Sequence, residues 1–151
     1  EYAHVPLHAA SLSAGNGEIN SEDVIVDHLA FKREWLRRIG VPPASAVLAR
    51  VSHGERGESM SPTIAPGDMV LIDTSRRVVP SRAQLRASKR APIYALNSAE
   101  GARVKRLSQV DNLIVLLSDN PEFPPEFLGK DRWSEIDIIG KVVWWGHTNT
   151  D

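Results

Sequence analysis

The spacing of apolar residues changes along this chain. Over residues 28–39 the side chains of Phe31, Trp35 and Ile39 recur every four positions, and basic residues fill most of the positions between them. A spacing of four places side chains on one face of a helix, so the pattern predicts an amphipathic helix. One glycine and two prolines follow within four residues, which is typical of a helix end.

Beyond this helix the period becomes two, or the chain shows short apolar runs between turn residues, and both patterns are typical of strands. The strands are expected near residues 46–51, 69–73, 92–97, 102–107, 112–117 and 136–145. Residues 97–101 are small, polar and end in glycine, as in a hairpin connection. Residues 76–90 carry six basic side chains and are expected to form an exposed loop. Together these elements predict a mainly antiparallel β domain with one short N-terminal helix.

The first 20 residues are polar and small, and we interpret them as an extended, accessible arm or loop. The predicted organisation is therefore an arm or linker over residues 1–25 and a folded domain over residues 26–151. A length of 151 residues fits one domain with a substantial core.

Composition excludes several kinds of chemistry. Lys and Arg number 18 and Asp and Glu 19, whereas a nucleic-acid-binding module normally has a basic surplus. The chain has no cysteine, which excludes disulfides and thiolate catalysis. His4 and His8 are close in sequence, but Pro6 between them disfavours a helical metal-binding pair, so neither metal nor other cofactor is expected. Without a membrane-length apolar run or a signal peptide, we expect a cytoplasmic protein with no membrane partner.

The clearest chemical candidate is a serine on a turn. Ser59 follows Gly57 and precedes the apolar run of residues 69–72. A glycine there permits a backbone conformation that would expose the serine. The backbone N–H groups of Ser59 and Met60 are candidates for an oxyanion hole. Taken alone, such a serine more often only stabilises its turn.

The matching base is a lysine within a predicted strand. Lys105 interrupts the alternating apolar pattern of residues 102–107. A lysine activates a serine only when neutral, so its pKa must fall from about 10.4, and burial among residues such as Ile93, Met60 or Val70 would lower it. Alone, Lys105 would be read as a surface residue, but with Ser59 it predicts a Ser-Lys catalytic dyad.

Two other arrangements compete with this dyad. Ser61 is a local competitor, but it precedes Pro62 and is confined to extended backbone conformations. His53 and Asp68 would offer a Ser-His-Asp triad, although His53 lies in a polar stretch that resembles an insertion. Both alternatives rank below Ser59 with Lys105.

These motifs resemble one known family. The sequences of residues 57–64, Gly67-Asp68, 104–107 and Asp119-Asn120-Pro121 are similar to those of the self-cleaving peptidase domains of LexA and phage CI-type repressors. Residues 29–36 resemble the helix that follows the linker in the phage proteins. The resemblance covers nearly the whole chain and implies a LexA/signal-peptidase-like β fold, with Ser59 as nucleophile and Lys105 as general base.

The same resemblance implies a function for the arm. Family members cut their own chain at an Ala-Gly bond, and Ala14-Gly15 matches that position. It further implies a homodimer, a RecA-type recombinase filament as coprotease in a DNA-damage response, and DNA binding through a helix-turn-helix domain outside this sequence. Residues 53–56 are extra relative to the family and lengthen the loop before Ser59.

Two other functions remain open at this point. Signal peptidase has a nucleophile motif similar to residues 59–63, but its membrane anchor and its Gly-Asp-Asn-Arg-like motif are absent. A non-catalytic dimerisation or sensor domain of a repressor would keep the fold without cleavage. The apolar run from Ile136 to Trp145, in which Trp144 and Trp145 are expected on opposite faces of a strand, is the candidate dimer surface.

Overall fold

The computed structural model describes residues 1–12, 25–52, 55–85, 89–98 and 101–149. The strands are β1 Tyr2–Leu12, β2 Ile25–Lys32, β3 Ala46–Val51, β4 Met69–Asp73, β5 Ile93–Ser98, β6 Gly101–Val110, β7 Leu113–Leu117, β8 Glu126–Gly129 and β9 Asp137–Gly146. The helix α1 is Arg33–Arg38, and short 3-10 turns span Pro43–Ser45, Glu55–Met60, Arg82–Gln84 and Lys130–Glu135.

The nine strands form one sheet in the order β2-β1-β3-β4-β9-β5-β6-β7-β8. All neighbours pair antiparallel except β1 and β3, which are parallel. The prediction of a mainly antiparallel β domain is thus confirmed. The six predicted strands correspond to β3, β4, β5, β6, β7 and β9, and Ser98 pairs with Gly101 at the predicted hairpin.

The predicted helix is shorter than its sequence pattern. Only Arg33–Arg38 is helical, and the residues before it belong to β2, which pairs with β1. The ring of Phe31 at the end of β2 stacks on Trp35 in α1 with centroids 5.5 Å apart. The spacing of four therefore arises from packing across a strand–helix junction, which produces the same pattern as a single helix.

The first strand corrects the interpretation of the N-terminal residues. The prediction of an accessible arm over residues 1–20 is wrong for Tyr2–Leu12, which lies inside the sheet between β2 and β3. Ala3, Val5 and Leu7 are buried at every second position. This alternation was present in the sequence, but the small and polar residues after it obscured it. The division of the chain at residue 25 stays a prediction.

One part of the core anchors the loop between β3 and β4. Met60 and Ile64 of that loop are 2% and 0% exposed, and they belong to a buried cluster with Ile72, Ala95 and Val104. The cluster joins the loop to strands β4, β5 and β6. Each buried side chain of this size stabilises the folded state by about 1.5–3 kcal/mol, so these two residues hold the loop against the sheet.

No helix in the described part of the chain has the length and apolar character needed to span a membrane.

Candidate active site

The turn that carries Ser59 is tightly tied at both ends. It follows β3 as the 3-10 turn Glu55–Met60 and leads into β4. The N–H of Gly67 donates to the carbonyl of Val51 over 2.9 Å, and the N–H of Val51 donates to Asp68 over 2.8 Å. Gly67 has a φ of 85°, a conformation in which glycine is favoured. These bonds close the base of the loop and fix where Ser59 lies.

Gly57 is required for a reason different from the predicted one. Its φ is not in the positive range, whereas a Cβ at this position would lie 1.8 Å from the backbone oxygen of Ser52. The glycine thus permits close approach of two backbone segments. Ser59 is only 4% exposed, so the prediction that Gly57 exposes the serine is wrong. The serine lies in a buried position that a substrate segment would have to enter.

Lys105 lies inside the protein. It is 5% exposed on β6, opposite Tyr94 of β5. Its Nζ donates a hydrogen bond to Ser118 Oγ over 2.5 Å and lies 5.4 Å from the centre of the Phe123 ring. A buried ammonium is costly in free energy, and burial of a lysine favours its neutral form. Lys105 is therefore an interior lysine rather than a surface one.

The segment after β7 joins the serine turn to the lysine. Ser118 contacts Lys105, and the N–H of Asn120 donates to the carbonyl of Ser59 over 3.0 Å. The side-chain amide of Asn120 donates to the carbonyl of Glu58, also over 3.0 Å. The serine turn and β6 also contact each other directly. The structure therefore brings Ser59 and Lys105 to one buried region that residues 118–120 hold together.

Asp119 completes this connection with charge. Its carboxylate accepts from Thr63 Oγ1 at 2.5 Å and from two nitrogens of Arg106 at 2.7 and 3.1 Å, and Arg90 pairs with it at 2.8 Å. Burial would raise the pKa of Asp119, but hydrogen bonds from Arg106 and Thr63, with the charges of Arg106 and Arg90, outweigh it, so the pKa lies below its ordinary value. Asp119 is therefore ionised near neutral pH and links the serine loop to β6.

Sequence reasoning missed Ser118, Phe123 and Arg106 as parts of this region. Ser118 directly precedes Asp119-Asn120-Pro121, the motif that contributed to the resemblance. The place of Ser118 next to this motif could have identified it from the sequence. The contact itself depends on how β6 and β7 pair, with Arg106 opposite Leu117. No sequence pattern gives that register in advance.

Ser61, the competing nucleophile, and Asp68, a member of the alternative triad, form hydrogen bonds with other residues. The hydroxyl of Ser61 donates to Glu58 Oε2 over 3.0 Å. Asp68 Oδ1 lies 2.6 Å from His147 Nδ1, and its other oxygen accepts from the N–H of Ala65. Asp68 therefore caps its own loop. His53 lies outside the described residues, as does the predicted cleavage site Ala14-Gly15.

Comparison with known proteins gives a family match and several relatives. A family model described as Peptidase S24-like matches residues 6–143. An uncharacterized HTH-type transcriptional regulator of Haemophilus influenzae is 30% identical over 140 residues, which cover 91% of this chain and 53% of that protein. The Repressor protein CI of Enterobacteria phage phi80 is 29% identical, covering 88% and 51%. The 26 kDa repressor protein of Escherichia phage HK022 is 26% identical, covering 95% and 57%.

The chain spans about half the length of each of these relatives. The family model covers most of the chain, including both the serine turn and the strand of Lys105. On these grounds the chain belongs to the Peptidase S24-like family.

Proposed function

We propose that this chain is the autoproteolytic domain of a transcriptional repressor, and that it cleaves its own Ala14-Gly15 bond with Ser59 and Lys105. The observation that carries the proposal is the buried lysine. Lys105 is 5% exposed, and residues 118–120 contact both its ammonium and the backbone of Ser59. A buried lysine in the same region as a buried serine is what a dyad needs.

The first chemical step forms an ester. Neutral Lys105 takes the proton from Ser59 Oγ, and the oxygen attacks the carbonyl carbon of Ala14. The N–H groups of Ser59 and Met60 would stabilise the negative oxygen that develops. The Ala14–Gly15 bond then breaks as the protonated Lys105 gives its proton to the departing nitrogen. Gly15 becomes a new N-terminus, and Ala14 is bound to Ser59 as an ester.

The second step releases the first fragment. Neutral Lys105 takes a proton from a water molecule, whose oxygen attacks the ester carbonyl. Ser59 leaves as the alkoxide and recovers the proton from Lys105. The products are a fragment ending in the carboxylate of Ala14 and a domain beginning at Gly15, so one water is consumed per cleavage.

The path of β1 supports a cut within the same chain. Leu12, the last residue of β1, pairs in parallel with Val51, the last residue of β3. The chain reaches Ser59 eight residues after Val51, and the predicted cleavage site follows Leu12 by two residues. Both segments therefore leave the sheet at the same end. Proximity of this kind replaces a bimolecular encounter by an intramolecular step.

The biological setting extends this proposal. The relatives are named repressors and an HTH-type regulator, so we propose a cytoplasmic homodimer that binds DNA through a domain outside this sequence. Cleavage would separate the two parts and relieve repression in an SOS-like response to DNA damage. A RecA-type recombinase filament would promote it by stabilising the cleavable conformation, since a partner shifts an equilibrium only through preferential binding.

Mass spectrometry after incubation of the purified chain at alkaline pH tests the proposal. The expected product begins at Gly15, and it should be absent from Ser59→Ala and Lys105→Ala, because residues that act as a unit lose activity together. Ser61→Ala is the matched control and should cleave at nearly the normal rate. Unchanged cleavage in Ser59→Ala would exclude this nucleophile. A stable wild-type chain under all conditions would favour a non-catalytic dimerisation or sensor domain.

The position of the cut has its own test. Gly15→Glu should block cleavage, because a bulky charged side chain cannot approach the serine as closely as glycine. Thermal unfolding of this variant should match the wild type, which would separate a blocked cleavage from a folding defect. Products that begin at any residue other than Gly15 would refute the cleavage site but leave the catalytic pair intact.

A further inference from the structure

A basic cavity lies apart from the serine turn. It has a volume of about 440 Å³, and its wall is formed by Ser75, Arg76, Arg77, Val78, Pro80, Leu85, Pro92, Tyr94 and Lys141. A volume of this size is within the range of small-molecule sites, about 300–1,000 Å³. The wall combines three cationic side chains with an apolar surface, and neither Ser59 nor Lys105 takes part in it.

The positive charge at this cavity exceeds the negative charge. Its wall carries three cationic side chains and no acidic one, although the chain as a whole has a net charge of −1. Asp73 is fully buried, and its carboxylate accepts from the N–H and hydroxyl of Ser75. Its other oxygen lies 3.2 Å from Nε of Arg76, whose Nη2 also donates to the carbonyl of Gly40, so Arg77 and Lys141 are the cations of the wall with no acidic partner among the described residues. The local charges therefore favour an anionic ligand.

Lys141 shows this excess of positive charge most directly. It lies on β9 between Asp73 of β4 and Tyr94 of β5, and no ion pair forms at its ammonium among the described residues. Burial first, and then the charges of Arg76 and Lys89, hold the pKa of Lys141 below its ordinary value and outweigh the opposing charge of Asp73. Repulsion between converging cations at this position would be relieved by a bound anion.

The apolar part of the wall is accessible. Val78 is 86% exposed, and Pro80, Leu85 and Pro92 lie beside it. Tyr94 is fixed beneath them, since its hydroxyl donates to the carbonyl of Val78 over 3.0 Å. A ligand that contacts both the cationic and the apolar parts of the wall therefore needs a compact anion and an apolar or aromatic ring.

We propose that this cavity binds a nucleotide, with the phosphate between Arg76, Arg77 and Lys141 and the base or sugar against Val78 and Leu85. Guanidinium groups match the geometry of phosphate oxygens, and a phosphate monoester carries nearly two negative charges at neutral pH. The source is either a free mononucleotide or the phosphorylated end of a nucleic acid strand, which present the same chemistry.

The test is isothermal titration of the Ser59→Ala chain, so that cleavage does not interfere. AMP is expected to bind, adenosine not to bind measurably, and inorganic phosphate to bind more weakly than AMP by about tenfold. Lys141→Met and Arg77→Gln should each weaken AMP by about tenfold or more. Arg132→Met is the matched control: it removes a positive charge on the 3-10 turn after β8 and should leave AMP affinity unchanged.

The outcomes separate clearly. Equal weakening by Arg132→Met would show a general charge effect and overturn the site, as would the absence of AMP binding. Equal binding of AMP and inorganic phosphate would contradict the role of the apolar wall. Tighter binding of a 5′-phosphorylated single-stranded oligonucleotide than of AMP would identify a strand end as the source. Arg77 is exposed, so Arg77→Gln gives an answer even if Lys141→Met does not fold.

Discussion

At the scale of single residues, the geometry around Lys105 assigns roles beyond the proposed catalytic pair. Lys105 Nζ has a hydroxyl acceptor at 2.5 Å and an aromatic ring at 5.4 Å. A long, flexible side chain without such contacts would occupy several rotamers, and ordering it costs up to about 2 kcal/mol. Ser118 and Phe123 therefore fix the direction of the amine in advance of any reaction. Under the proposed mechanism, Ser118 would act through Lys105 as a positioning residue.

Removing the Ser118 hydroxyl should slow self-cleavage without unfolding the domain. Ser118→Ala is expected to reduce the maximal rate about tenfold, the effect of a barrier higher by about 1.4 kcal/mol, because Lys105 loses its fixed orientation. The rise in rate with pH should begin at a lower pH, because removal of a hydrogen-bond acceptor destabilises the charged ammonium more than the neutral amine. The measurement is the first-order rate against pH. Ser118→Thr, which keeps the hydroxyl, should restore most of the rate; an equal loss in both variants would contradict a positioning role.

Gly57 gives a steric prediction. Gly57→Ala places a methyl group 1.8 Å from the oxygen of Ser52, a backbone atom that cannot rotate away. We expect a loss of about 3 kcal/mol in unfolding free energy, with cleavage abolished as the turn shifts. Denaturant unfolding measures the change. The matched control is Gly129→Ala, whose methyl would meet only the movable side chain of Asp131, and equal stability of the two variants would refute the steric explanation.

At the scale of elements, the loop between β3 and β4, strand β6 and the segment after β7 act as one unit. Asp119 makes this connection, because it binds Thr63 of the loop and Arg106 of β6. Its side chain is 3% exposed and that of Arg106 is 13% exposed, so water screens the pair only slightly. Loss of one partner leaves a charge in a buried position without compensation.

Asp119→Asn should therefore destabilise the domain by about 3 kcal/mol near neutral pH. The folded pKa of Asp119 is below the unfolded value of about 3.9, so its contribution is complete above that value and is lost as pH falls through the folded pKa. The difference between wild type and variant should shrink in acid. Urea unfolding at several pH values measures it, with Asp137→Asn on the exposed end of β9 as control. A difference that stays constant down to pH ~3 would contradict the ion pair.

Elements with a clear pattern were predictable, and those that depend on distant partners were not. Residues 46–51 and 69–73 alternate or form apolar runs between turn residues, and their strands are confirmed residue by residue. The junction at Lys32 was not predictable, because Phe31 and Trp35 have helical spacing while packing as strand and helix. Lys105 was identified as a candidate from its sequence, whereas its burial follows from the sheet order. The contact of Ser118 with Lys105 depends on how β6 pairs with β7.

At the scale of the whole molecule, both tryptophans of β9 lie as their alternation predicts. Trp144 packs against Phe31 and Trp35, with ring centroids 6.0 and 6.2 Å away, and Trp145 on the other face is 37% exposed. Exposed aromatic side chains are frequent anchors of interfaces. A second apolar area lies at the edge of the sheet, where Phe127 of β8 is 56% exposed. The two areas offer alternative surfaces for a dimer.

We expect the dimer to form through the surface of Trp145. Trp145→Glu should convert a concentration-dependent dimer into a monomer, because a charge at a buried interface costs several kcal/mol. Phe127→Glu, the matched control on the second surface, should leave the dimer intact. Sedimentation velocity over a range of concentrations measures both. Dissociation by Phe127→Glu alone would place the interface at β8, and a wild-type chain that is monomeric at all concentrations would exclude a dimer of this domain.

The most direct test of the central claim, that Lys105 is the base for Ser59, is the rate of self-cleavage from about pH 6 to about pH 11. A lysine base has to lose its proton first, so the rate should rise about tenfold per pH unit and then level off above the folded pKa of the base. Lys105→Ala should be inactive throughout. A pH-independent rate, or a plateau already reached at neutral pH without any partner, would contradict the account.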